Sequence, residues 1–298
     1  MVAHGRRLMT ATSPHRMQAP EAAGVADAAP TPEILITPVR HRISLRDLTG
    51  NSGLIRVLVA RDLKVKYKQS VLGPIWLVFQ PFALLVAFVV GFHSVGHVET
   101  GGVPYALFAL TGLSMWGYFS SASTAGAMSL IGNTNLVRYT ACPRLALTVA
   151  NLLASLPAFI VPACAAIAVA LANGYLPVSL ILAPVVAAWL VLFTVAFTAI
   201  LASVAVRYHD VPAALPFLLQ AGVFLAPVAY PTDQLSGVAR TLVSLNPLTG
   251  VIEAWRWCVL GVEPAAFALA ASVVLTMALA VLAWTVFGRL EVTMTDDI

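Results

Sequence analysis

The chain has 298 residues, 59% hydrophobic and 10% charged, with a net charge of +4 and a mean hydropathy of +0.88. A soluble domain carries about a quarter charged residues, so this composition excludes a water-soluble globule, a coiled coil and a disordered chain, and points to an integral membrane protein. Cys142, Cys164 and Cys258 are odd in number and lack CxxC spacing, which supports neither a disulfide framework nor a metal site.

Residues 1–38 are rich in Ala, Pro, Thr and Ser with scattered Arg, a composition that reads as a disordered tail. Arg6-Arg7 is followed by no apolar stretch, which speaks against a cleaved twin-arginine signal. Of the 17 Lys and Arg, 11 lie before residue 70, and eight of these fall in the next segment, 39–72, ending in Lys64, Lys66 and Lys68. Within it Leu54, Val57, Leu58 and Val65 share one helical face on which Arg61 intrudes, whereas Leu63 to Lys68 alternates like a strand.

A membrane-crossing helix needs about 20 apolar residues. The first candidate is 75–95 and the second 105–131. From Leu145 to Val206 no residue is charged over 62 positions. A single helix of that length would extend about 93 Å, three times the hydrocarbon thickness. Asn173-Gly174-Tyr175-Leu176-Pro177 supplies the turn, giving spans near 146–172 and 178–204. A fifth, 211–232, holds Pro212, Pro216, Pro227 and Pro231 and reads as kinked or broken. Residues 233–262 are too polar to cross alone, and 264–288 forms the sixth span. The expectation is an all-α membrane domain over 73–290, followed by a short cytoplasmic C-terminus at 291–298. An even number of crossings puts both termini on one side. The loops on that side hold Arg138, Arg144, Arg207 and Arg289, whereas the opposite loops at 96–104 and 173–177 hold no Lys or Arg, so the termini are expected in the cytoplasm.

No GxxxxGK[ST], HExxH or GxSxG occurs. No carboxylate falls near the middle of a span, where an ion-coupled carrier would need one. A pump built on this chain would draw its energy from another polypeptide. His93, His97 and Glu99 are the only trio with a bearing on enzyme chemistry. Their i, i+4 histidines suit a metal on a membrane transferase, but solvated loop residues are the favoured reading.

Residues 54–81, LIRVLVARDLKVKYKQSVLGPIWLVFQP, carry Arg61-Asp62-Leu63-Lys64, Tyr67, Ser70, Leu72-Gly73 and Trp76. This run resembles the entry segment of type-2 ABC exporter permeases, in particular the branch that exports O-antigen, teichoic acid and mycobacterial galactan. Leu245-Asn246-Pro247-Leu248-Thr249 with Glu253-Ala254-Trp255-Arg256 is similar to that family's segment before the last span. The resemblance covers roughly 40–290.

The resemblance implies a permease subunit of the bacterial plasma membrane that is not itself an enzyme. Two copies would pair with two separate ATPase subunits, which hold ATP and Mg while this chain binds no cofactor and no metal, and would move a lipid-linked polysaccharide outward. Residues 54–70 would form an interface helix touching the ATPase through Arg61, Lys64 and Tyr67; a basic segment resting on anionic membrane lipids is the other reading. Gly132 to Tyr139 would match the coupling loop, with Leu136, Val137, Arg138 and Tyr139 at the ATPase, or else be an ordinary polar turn. Arg207 and Asp210 suit a lipid anchor and a helix cap. Phe82, Phe88, Tyr105 and Phe108 suit an aromatic lining for a sliding glycan, as well as packing. Asn246 and Pro247 would open an outer re-entrant hairpin in which Glu253 and Arg256 could pair at i, i+3. An interfacial helix anchored by Trp255 and Trp257 remains open. Permeases for drugs or lipids share the fold, and a polytopic membrane transferase is a further alternative.

Overall fold

A computed structural model describes residues 50–68, 73, 75–134, 136, 144–208 and 210–290. Among them all regular structure is helical. The tail over 1–38, residues 39–49, Val137, Arg138, Tyr139 and residues 291–298 lie outside the described residues.

The first helix, α1, runs Ser52–Lys68 as one continuous element. The alternation after Leu63 therefore makes no strand, a correction with a simple cause: no strand among the described residues offers an edge for it to join. Its inward side is Leu54, Ile55, Leu58 and Val59, while Val57 and Val65 point outward. Helix α2, Ile75–Phe88, passes into a π-helical stretch, Val89–Val95, a wider winding that is rare and marks a local departure from the i→i−4 ladder. Helix α3 is Tyr105–Ala127.

Pro157 has no N–H to continue the ladder of α4, Arg144–Ala154, so the chain breaks at Ser155 and resumes as α5, Pro157–Ala172. After a 3-10 turn at Val178–Leu182, α6 runs Ala183–Arg207. Helix α7, Asp210–Gly222, is too short to cross a bilayer, and turns carry the chain on through Tyr230. Helix α8, Gly237–Ser244, is exposed up to Leu242 and turns inward at Ser244. Asn246 then caps the next helix by accepting from Leu248 N–H at 3.0 Å, Pro247 occupies its first position, and Gly261 ends it with φ of 74°. That is the start and stop chemistry expected of a helix, and it defines α9, Pro247–Leu260. The last helix, α10, is Ala266–Leu290.

Four stretches have the length and hydropathy to cross a membrane: Ile75–Val95, Leu145–Ala172, Val178–Arg207 and Ala266–Val286. Helix α3 is long enough but more polar, with eight Ser, Thr and Gly after Leu110 up to Thr124. Its position explains the difference. Seventeen of its 23 residues are buried, so packing rather than lipid selects its side chains, and small residues permit close approach. It packs against α5, α6, α4, α2 and α9. Several buried hydroxyls are satisfied by their own helices: Thr111 and Ser114 donate to Phe108 O and Thr111 O at 2.7 Å, and Thr194 donates to Leu190 O at 2.7 Å.

Two helix crossings depend on glycine. A Cβ on Gly126 of α3 would overlap Thr198 Cγ2 of α6, and one on Gly250 of α9 would lie 2.8 Å from Ala268 O, a backbone atom of α10 that has no freedom to swing away. Gly250→Ala and Gly126→Ala are each expected to cost about 1–3 kcal/mol, the usual range for overpacking. Gly132→Ala, which meets open space, should leave stability unchanged. Thermal unfolding in detergent checks this; equal midpoints for all three would contradict the packing.

Candidate functional site

Two polar regions stand out, one at each end of α3. With 1.5 Å of rise per residue, Ser121 and Phe108 lie about 20 Å apart along that helix.

At the first end α1 lies against the beginning of α4, and a small apolar cluster holds it. Leu58 of α1, Leu130, Leu147 and Ala150 of α4, and Ala202 and Val206 of α6 form its buried part, with Leu136 packed at the edge. Polar bonds tie the same pieces together. Arg61 donates from Nη2 to Asn133 Oδ1 at 2.9 Å and through Nε to Asp62 Oδ1 at 2.8 Å. Asn133 in turn donates from Nδ2 to Ser129 O at 2.8 Å, and the Ser129 and Thr148 hydroxyls share a buried bond of 3.1 Å. Helix α1 and the 129–134 loop are thus one mechanical unit.

Lys66 adds a third tie. Its Nζ donates at 3.2 Å to Ser121 of α3 and to Ser155 at the α4–α5 break. Lys66 is exposed as a residue while its ammonium reaches in to the two hydroxyls, the reverse of the usual arrangement in which the stem is buried and the charged head stays in water. Burial pushes this ammonium below its ordinary value of 10.5, and the Asp62 carboxylate opposes the shift.

Of the residues expected to touch an ATPase, Lys64 is exposed and Tyr67 half-buried on α1. Arg61 serves the internal bond to Asn133 as well as its exposed pairing, and Leu136 joins the apolar cluster. Ser121, Asn133 and Ser155 were not singled out in the sequence. Asn133 sits in the loop named for coupling, and Ser155 precedes a proline, but a lone hydroxyl in an apolar run carries no signal of its own.

The second end gathers the residues around Asn246. Helix α9 is buried along nearly its whole length, which corrects the interfacial-helix reading: Trp255 is only 2% exposed and packs edge-on against Phe159 at 5.2 Å. The suggested Glu253–Arg256 pair is also corrected. Among the described residues the one ion pair is Arg61–Asp62. Glu253 instead accepts from the Thr232 hydroxyl and from Ala265 N–H at 3.0 Å. Arg256, 2% exposed, donates from Nη2 to Val228 O at 2.9 Å and lies with its guanidinium carbon 3.5 Å from the centre of the Phe108 ring. Spacing at i, i+3 lets the two meet, but Glu253 bonds the Thr232 hydroxyl and Ala265 N–H, and Arg256 bonds Val228 O.

The four aromatics suggested as a lining do not share a face. Phe82 is 36% exposed, Phe88 is buried beside Phe92 and Phe224, Tyr105 donates its hydroxyl to Ala229 O at 2.8 Å, and Phe108 lies under Arg256. His93 stacks on Tyr105 at 5.3 Å, and His97 turns back to Val95 O. No cluster of three His, Cys, Asp or Glu suited to a metal occurs among the described residues. Asp210 is the first residue of α7.

A family model described as "ABC-2 type transporter" matches residues 53–260. An O-antigen export system permease protein RfbA of Klebsiella pneumoniae is 28% identical over 207 residues, covering 68% of this chain and 78% of that protein. A protein of the same name from Myxococcus xanthus is 28% identical over 215 residues, covering 71% and 82%.

The lowered Lys66 value gives a pH test of the first region. A protonated Lys66 must shed water to dock, and binds its proton more tightly when α1 is released, so docking is weakest below the lowered value and strengthens as pH rises through it towards 10.5. A fluorophore on Ala60→Cys, exposed on α1, should report tighter docking as pH rises through this window. Lys66→Met should abolish the dependence; an equal response in both chains would contradict the assignment.

Proposed function

The chain belongs to the ABC-2 type transporter family, and we propose that it is the membrane subunit of an ATP-driven exporter that carries a lipid-linked polysaccharide outward across the bacterial plasma membrane. It is a transport subunit and not an enzyme, with the ATPase on a separate polypeptide. The glycan cargo is supported by the export permeases it resembles. Galactan and teichoic acid belong to the same chemical class of cargo.

The observation that carries this reading is the joining of α1 to the 129–134 loop through Arg61 and Asn133. A helix packed on the beginning of α4 and bonded to the 129–134 loop is suited to receive force from a partner and pass it on. The path continues through Lys66 to Ser121 on α3 and Ser155 at the α4–α5 break. The outward side of α1 presents Val57 and Val65, 66% and 57% exposed, alongside Arg56, Lys64 and Lys68, a mixed apolar and basic surface that suits a protein contact flanked by anionic lipid.

In this reading the four long apolar stretches, α3, and α7 with the turns after it make six crossings. Both termini then lie in the cytoplasm, where the basic loops place them, and α1 with the 129–134 loop faces the ATPase. A second copy would cover α2, whose described residues are exposed except at a few positions, with Trp76, Phe79 and Val86 outward. Two ATPases and two permeases follow from that symmetry.

Lys64→Glu with Val57→Asp alters only the exposed side of α1. The doubly substituted chain should enter the membrane and keep its melting temperature, yet lose the ATP-binding partner that co-purifies with the unaltered chain in mild detergent. Undiminished co-purification would overturn the placement of the ATPase.

A further inference from the structure

The segment that follows α7 has a difficulty that the fold has to solve. Residues 223–230 are not regular helix, yet Val223, Ala226, Val228 and Ala229 are buried. Backbone carbonyls without a helical ladder in an apolar bundle have no water to turn to, and each costs several kcal/mol if unmet. Side chains from three directions meet them. Arg256 of α9 donates to Val228 O at 2.9 Å and Tyr105 of α3 donates to Ala229 O at 2.8 Å, both buried, while at the exposed residues of the segment Asn246, the cap of α9, donates to Leu225 O at 3.2 Å and Tyr230 donates back to Phe224 O at 2.8 Å.

Arg256 is the centre of this arrangement. Its guanidinium has one face on the Phe108 ring and one edge on Val228 O, so it joins α9, the segment and α3 at one point. A planar fork does both at once where an ammonium cannot. Gly112 of α3 completes the seat: a Cβ there would lie 2.9 Å from Arg256 Nη2 and 3.1 Å from both Val228 Cα and O. Helix α3 lacks a side chain at the place where the segment and the guanidinium press against it. Arg256 Nε meanwhile has no partner, and the neighbouring Glu253 is bonded to Thr232 and Ala265. A buried cation with no carboxylate in contact is retained at a cost, and what it secures here is the position of the segment.

We propose that Arg256 is a positioning residue for transport: it holds residues 223–230 against α3 at Gly112, at the end of α3 remote from α1, and transport depends on that hold. The proposal rests on the exporter reading given above.

The test places a cysteine at Val228, fully buried, in the full chain with Cys142, Cys164 and Cys258 replaced by alanine, in its membrane with its partner subunits. A membrane-impermeant maleimide is the probe, and Ser236→Cys, exposed beyond the segment, is the labelling control. With Arg256→Met, labelling at 228 should quicken by about tenfold to a hundredfold, the range for losing a charge-assisted hydrogen bond, with no change at 236. Arg256→Lys should fall between, because it restores the charge without the fork. The same complexes in vesicles should hydrolyse ATP undiminished by Arg256→Met while glycan moved per ATP falls. Unchanged labelling at 228 overturns the positioning role and leaves the exporter reading intact. Faster labelling with an unchanged ratio of export to ATP overturns the role in transport. An unsubstituted complex that hydrolyses ATP and moves no glycan removes the exporter reading, and the proposal with it, before any substitution is made. Should Arg256→Met fail to assemble, Gly112→Ala keeps the cation and displaces the segment; it must also speed labelling, and if it does not the proposal falls.

Discussion

A backbone carbonyl or N–H inside an apolar bundle must find a partner within the protein, because neither lipid nor packed side chains can supply one. This constraint accounts for most of the polar residues that the chain keeps in its interior. The long helices meet it through their own ladders, and buried hydroxyls such as those of Thr111, Thr194 and Thr276 bond back to carbonyls three or four residues earlier. Where the ladder stops, other groups take over. Asn246 caps α9, Glu253 closes the join between Thr232 and Ala265, and Tyr105, Asn246 and Arg256 serve the segment after α7. Irregular backbone is therefore concentrated where polar side chains gather, and those are the places where a bundle can change shape.

Helix α3 links the two polar regions. It takes the Lys66 ammonium on Ser121 near one end and supplies Tyr105, Phe108 and Gly112 near the other. Its burial on nearly all sides makes it a stiff element, since close-packed interiors transmit displacement with little give. A push on α1 reaches α3 and the α4–α5 break through the same ammonium. The two ends are thus physically joined, and each holds its local structure by a few bonds that side chains can make or release.

Much of this was legible in the sequence, for particular reasons. Long apolar runs bounded by charges are a strong signal in lipid, and four of them return as helices of spanning length. The prolines around 211–232 announced a broken element, whereas the ends of α9 at Asn246-Pro247 and Gly261 emerge only in the structure. Periodicity misled at Leu63–Lys68, where alternation over six residues is too short to outweigh a helix already under way. Helix spacing also misled at Glu253 and Arg256: it showed that they could meet, but not that unladdered backbone would claim them first. The aromatic group was legible as composition only. Which ring faces lipid, a partner or the interior depends on neighbours distant in the chain, as Phe108 under Arg256 and Tyr105 on Ala229 show. Lys66 could be read as basic but not as the tie to Ser121 and Ser155, because those contacts join residues 55 and 89 positions apart.

The central claim is that this chain moves a lipid-linked glycan only when an ATP-hydrolysing partner drives it. The most direct measurement reconstitutes the chain with its co-purified ATPase in sealed vesicles loaded with lipid-linked glycan on the ATPase-facing leaflet. Accessibility of the glycan to an enzyme confined to the other side is then followed over time. The account predicts that the glycan becomes accessible with ATP, and neither without ATP nor with an ATPase that binds but cannot hydrolyse it. Glycan that stays inaccessible while ATP is consumed, or that crosses equally well without ATP, would contradict it.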